Sequence, residues 1–112
     1  MPIIHITFKY KISKLDKDIL FQELAKIVTL ELSTKIRKLK PTDVIITSHI
    51  DRDSFFKGEI LIEILANKNR ERLKRSEDIP NIIKIELISK LKNLPKLKIL
   101  LNLGKLSFSK DL

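Results

Sequence analysis

The sequence predicts an α+β fold: a two-layer β-α-β-β-α-β sandwich, with a four-stranded mixed sheet and two helices on one face. Three observations carry this. Four short apolar runs, two of them strictly alternating, read as strands. Two longer stretches repeat their apolar residues every three or four positions, the period of a helix. Their order is strand, helix, strand, strand, helix, strand, which makes two βαβ-like halves of similar size. The 112 residues form one domain, 1–112.

The first strand follows Met1-Pro2 and covers 3–10. Ile4, Ile6 and Phe8 fall on one face; Ile3, His5 and Thr7 fall on the other. Ser13 or Asp16 supplies the N-cap of the first helix. From Lys17 to about Lys35 there is no Gly or Pro, and Phe21, Leu24, Ala25, Val28 and Leu32 recur at helical spacing, widened by Leu20 and Ile27. Pro41 breaks the pattern, because the residue before proline avoids the helical region. The second strand, 44–50, is rich in β-branched residues. A polar turn at 51–54 and the segment Phe55-Phe56-Lys57-Gly58 lead to the third strand, 59–66. There Ile60, Ile62 and Ile64 alternate with Leu61, Glu63 and Leu65.

Residues 67–77 are highly charged and read as a loop or a loose helical turn. Asp78 or Ser76 caps the second helix, with Pro80 accommodated in its first turn. Ile79, Ile83, Leu87 and Leu91 repeat every fourth residue, and Asn93 and Pro95 end the helix. The fourth strand spans 97–103; Gly104 turns the chain into a short tail. The helix-facing core should include Leu24, Ile27, Val28, Ile83 and Leu87. The other sheet face has no cover within the chain. Burying ~400–500 Å² of it is worth on the order of 10 kcal/mol before association costs, so self-association through the sheet is expected.

Composition narrows the function. There are 23 Lys and Arg against 14 Asp and Glu, a net charge of +9. Such a balance favours anionic partners. The excess is mostly Lys paired with abundant Ile and Leu, which AT-rich coding alone produces. With no cysteine, disulfides and thiolate metal sites are excluded, and a reducing cytoplasm is the expected setting. No signal peptide and no apolar run long enough for a membrane span is visible. Two glycines leave no phosphate-binding loop.

Pro2 is the candidate catalytic residue. Methionine before proline is normally trimmed, which would leave a secondary amine at the tip of a strand. An α-amino group has a pKa near ~8, and an apolar pocket disfavours its charged form, so it becomes a credible general base. The bland alternative is that proline is simply tolerated at the start of a strand. His5 and His49 are the only histidines and lack paired acids at ligand spacing; a structural or solvated role fits them, and no metal or other cofactor is expected. Asp51-Arg52-Asp53 reads as a solvated turn, and Ser48, His49 and Asp51 lack a nucleophile turn. The runs 35–40 and 70–75 are basic but have no interleaved aromatics, so they read as solubilising faces.

Several of these segments together resemble the tautomerase superfamily, which includes oxalocrotonate tautomerase, carboxymethyl-hydroxymuconate isomerase and macrophage migration inhibitory factor. The likeness rests on Met1-Pro2 opening directly into a strand, the long first helix, the Pro41-containing turn into an apolar strand, and the aromatic and glycine segment 54–59. The chain looks most like an uncharacterised bacterial branch of this fold. The resemblance implies a homotrimer. It also implies an amino-terminal proline that moves a proton between carbon and oxygen of a small keto or enol acid. Cations hold the substrate carboxylate and an aromatic keeps the pocket dry. Pro2 matches by position; Lys9, Lys11 or Arg37 would supply the cation, and Phe55 or Phe56 the aromatic. Asp43 stands where the oxalocrotonate tautomerase pattern has an Arg, and lysine lacks the bidentate fork that suits a carboxylate. Three readings follow: a tautomerase, a non-catalytic interaction or structural module on the same fold, and a basic nucleic-acid-binding α/β domain.

Overall fold

The computed structural model describes residues 2–35, 37–91 and 96–105. Strand β1, Ile3–Phe8, sits inside a four-stranded sheet between β2, Ile45–Ile50, and β3, Ile60–Asn67; β4, Leu97–Gly104, lies beyond β3. β1 pairs parallel with β2 and antiparallel with β3, and β3 pairs parallel with β4. The sheet is therefore mixed, and each parallel pair is joined through a helix, as βαβ geometry requires.

Alternation sorts the strands by face. Ile4, Ile6 and Phe8 of β1 and Ile60, Ile62, Ile64 and Ala66 of β3 are buried against the helices. Leu20, Leu24, Ile27, Val28 and Leu32 of helix α1, Lys14–Leu32, and Ile79, Ile83 and Leu87 of helix α3, Asp78–Lys90, complete the core. All five core residues expected from the sequence are there. The uncovered face carries Ile3, His5, Ile45, Thr47, His49, Leu61, Glu63, Leu65 and Leu100, all half-buried or exposed.

Of the two caps the sequence offers, Ser13 is the N-cap of α1, its Oγ accepting the Asp16 N–H at 3.2 Å, so the helix starts at Lys14. Its end is Leu32 because Ser33 turns extended while its hydroxyl donates back to the Thr29 carbonyl at 2.6 Å. Pro41–Asp43 form a single 3₁₀ turn, with the Lys40 N–H donating to the Asp43 carboxylate at 2.7 Å.

Of the two readings of the charged stretch, the helical turn holds: it is a short third helix, α2, Arg70–Lys74, capped by Asn69, whose side chain accepts the Arg72 N–H. Two other expectations need correction. The residue before α3 is Glu77, without a side-chain cap; neither Asp78 nor Ser76 caps it. The N–H groups of Asp78 and Ile79 donate instead to the Arg75 carbonyl, so the end of α2 satisfies the start of α3. Gly104 does not turn the chain: it is the last residue of β4, and its carbonyl accepts the Lys68 N–H. Among the described residues, the one with positive φ is Gly58, at 125°. The expected helix end at Asn93 and Pro95 and the tail at 106–108 lie outside the described residues.

Candidate functional site

The candidate residues gather at the two opposite ends of β1. Pro2 is buried at its start, and its carbonyl accepts the Ile45 N–H at 3.0 Å, which fixes it to β2. Pro2 lies two positions before Ile4 and so shares the helix-facing side of the sheet. On its other flank Ile3 pairs with Leu65, bringing the end of β3 beside it.

A cation stands at this same end. Arg72 is only 7% exposed. Its Nε donates to the Leu32 carbonyl at 3.0 Å and its Nη1 to the Asn67 carbonyl at 2.7 Å. The guanidinium thus bridges the C-termini of α1 and β3. The negative end of the α1 dipole favours it there. Its pKa is lowered, first by burial and then by the nearby charge of Arg37. Arg37 is exposed, and its backbone is tied to Thr34 by two hydrogen bonds, from Arg37 N–H to Thr34 Oγ1 and from Thr34 N–H to the Arg37 carbonyl. Among the described residues, no carboxylate forms an ion pair with Arg72 or Arg37; the ion pairs there join Glu23 to Lys26 and Lys90, and Glu31 to Arg75.

The other end of β1 holds Lys9, Lys11, Phe55 and Phe56. Lys9 is committed locally: its ammonium donates to the Phe56 carbonyl at 2.7 Å and lies 4.5 Å from the centre of that ring. Phe55 is fully exposed. Lys11 lines an open cleft of about 450 Å³ with Phe8, Ile12, Lys14, Lys17, Ser48, His49 and Ile50, a lining without any carboxylate. At ~3.3 Å per strand residue, roughly 20 Å of β1 separates Pro2 from this end. Within one chain, then, Pro2 shares its end of the sheet with Arg72 and Arg37. Lys9, Lys11, Phe55 and Phe56 lie at the far end.

Sequence reasoning missed two features. Arg72 reads as part of a solubilising run; the available signal is Asn69, an N-cap residue that starts a short helix and turns one face of the run inward. His5 and His49 are 44 positions apart, yet both occupy the uncovered face of adjacent strands. His5 Nε2 and His49 Nδ1 lie 2.6 Å apart, and His5 Nδ1 lies 2.7 Å from Thr47 Oγ1. Ser48, between Thr47 and His49, belongs to the opposite face, so no Ser–His–Asp arrangement forms. Among the described residues no group of three or more His, Asp or Glu is placed to hold a metal ion, and no helix is long and apolar enough to cross a membrane.

The sequence matches no family model and no curated protein. Its fold does match solved structures. The macrophage migration inhibitory factor-like protein of Entamoeba histolytica superposes with a TM-score of 0.64 at 16% identity, over 98% of this chain and 95% of that one. Pt0534 inactivated by 2-oxo-3-pentynoate gives 0.63 at 11% identity, over 89% and 84%. A fused 4-OT symmetric trimer gives 0.60 at 16% identity, over 91% and 85%. The chain has the tautomerase-superfamily fold.

Proposed function

Starting from that fold, we propose that this chain is a tautomerase or isomerase acting on a small keto or enol acid, with Pro2 as its base once Met1 is removed. One observation carries the reading: Pro2 is buried at the end of the sheet where Arg72 and Arg37 carry positive charge with no carboxylate among the described residues paired to them. Burial and like charge both disfavour an ammonium at Pro2, which suits its freed amine to accept a proton. The same cations attract a substrate carboxylate and stabilise an enolate. The neutral amine takes the enol hydroxyl proton, and the ammonium so formed delivers a proton to the adjacent carbon, which regenerates the base.

We propose further that copies associate through the uncovered sheet face as a homotrimer, the symmetry of the fused 4-OT neighbour. The roughly 20 Å between Pro2 and the far end of β1 gives this assembly a second role. Arg37 serves Pro2 from the same chain, whereas Lys9, Lys11, Phe55 and Phe56 reach it only from a neighbouring subunit.

The test has three parts. The mass of the terminus establishes whether the proline is free. Conversion of the enol of a simple α-keto acid is then followed spectrophotometrically. Finally, 2-oxo-3-pentynoate, the acetylenic keto acid that inactivated Pt0534, should add one equivalent to the Pro2 peptide. Undiminished turnover by protein acetylated at its terminus would remove Pro2 as the base. A free terminus with neither turnover nor adduct supports a non-catalytic interaction module instead. The Asp43 carboxylate in the turn before β2 favours that second reading, because it would repel an anionic substrate there. The nucleic-acid reading is weakened by the 70–75 run itself: Arg72 is buried, and Arg75 is paired with Glu31 at 2.6 Å.

A further inference from the structure

We propose that the His5–His49 pair is an acid-sensitive latch on the uncovered sheet face, holding copies of this chain together near neutral pH and releasing them on acidification. The proposal rests on the reading that copies associate through this face. The geometry sets the proton count. His5 Nε2 and His49 Nδ1 are 2.6 Å apart, so one carries the hydrogen and the other offers its lone pair. The rings are stacked, with centroids 4.7 Å apart and planes inclined by 25°. A pair of neutral rings satisfies this contact, and so does a pair carrying one positive charge. A doubly charged pair cannot, because two N–H groups would then point at each other.

The surrounding charges point the same way. Glu63 of β3 is the register partner of His5 and lies beside it on the same face. Lys98 of β4 lies on the same face, paired with Leu61. Asp51, just past β2, is held below the usual carboxylate range by hydrogen bonds from Ser54 and Asp53, with a smaller contribution from the charge of His49. Against a second charge stands the first proton, held within the 2.6 Å contact between the rings. Thr47 adds a neutral hydrogen-bond partner to His5.

In an assembly that covers this face, the rings are withdrawn from water and held together. In a free chain they can separate and both become charged. The free chain therefore binds more protons than the assembled one, and by linkage acid favours the free chain. Apolar neighbours surround the pair on the same face, with Ile3, Ile45, Leu61, Leu65 and Leu100 all half-buried or exposed. Separation of the rings would disturb the packing of a second copy against them.

Sedimentation velocity on the full chain at pH 8 and pH 5, with far-UV circular dichroism as the check on folding, tests the latch. The wild type should be assembled at pH 8. At pH 5 it should need on the order of tenfold more protein to assemble, with its secondary structure unchanged. His49→Gln keeps a hydrogen-bonding side chain but cannot take the second proton, so its assembly should be nearly independent of pH. His5→Gln should behave alike. Equal assembly of the wild type at both pH values, or an unchanged pH response in both variants, overturns the latch and leaves association through the sheet standing. A wild type that is monomeric at both pH values overturns association through this face, and the latch with it.

Discussion

Replacing Arg72 tests the end of the sheet where Pro2 is buried. Its side chain makes two hydrogen bonds to main-chain carbonyls, at 3.0 Å to Leu32 and 2.7 Å to Asn67. The Leu32 carbonyl is among the last four of α1 and has no partner within its own helix. Arg72→Met retains the volume and removes both donors. Each bond from a charged donor contributes about 1.5–3 kcal/mol. Part of that is offset, because a guanidinium no longer has to be buried or held near the Arg37 charge. The net cost is then about 2–4 kcal/mol. For a domain of this size that lowers Tm by roughly 10 °C. Arg72→Lys keeps the charge but cannot span both carbonyls, and should cost about half as much. Arg70→Met, two positions away and exposed, is the control and should change stability by less than ~0.5 kcal/mol. Urea unfolding at one fixed protein concentration provides the measurement, since association shifts apparent stability. If Arg72→Met unfolds at the same urea concentration as the wild type, the bridge between α1 and β3 contributes nothing. The case for a rigid cationic end beside Pro2 is then lost as well.

Two further substitutions address other parts of the structure. Gly58→Ala should destabilise by about 1–3 kcal/mol in the same assay, because φ is 125° and the added Cβ would meet the Lys96 carbonyl oxygen at 3.0 Å. That oxygen accepts the N–H groups of Glu59 and Ile60 where β3 begins, so the loss should be accompanied by faster amide exchange at both. Ser54→Ala removes the largest influence that lowers the Asp51 pKa, a hydrogen bond from the Ser54 side chain, and NMR titration should show that pKa rising toward 3.8. Because the folded pKa is depressed, the contribution of Asp51 to stability is present above the unfolded pKa and lost as pH falls through the folded one. The variant should therefore lose part of the acid sensitivity of the wild type below about pH 4 and match its pH dependence above about pH 6.

What could be read from the sequence follows from the range of the interactions involved. Alternation in β1 and β3 and the four-residue repeat of Ile79, Ile83 and Leu87 are local signals, and they place the core on the helix-facing side without ambiguity. Helix α2 could be read only as one of two alternatives, a loop or a helical turn, because five residues are too few to display a period; its local mark is the cap at Asn69. The site was legible in its parts but not in its arrangement. Pro2 is distinctive by position, and its burial follows from a strand that starts between two others. No local pattern shows that Arg72 turns inward while Arg70 stays exposed. That depends on two main-chain carbonyls, one 40 positions before Arg72 and one five, at the ends of α1 and β3. The histidine pair is set by register alone. Ile3 pairs with Ile45, so the odd positions of β1 and β2 share the uncovered face, and a shift of one residue in that pairing would put His5 and His49 on opposite sides of the sheet. The same register places Glu63 beside His5. A sheet face built only to exclude water would carry isoleucine at such central positions, as Ile4 and Ile6 do on the other side. His49, His5 and Glu63 instead stand side by side on three adjacent strands, so it is the uncovered face and not the helix-covered one that carries the groups the proposed latch needs.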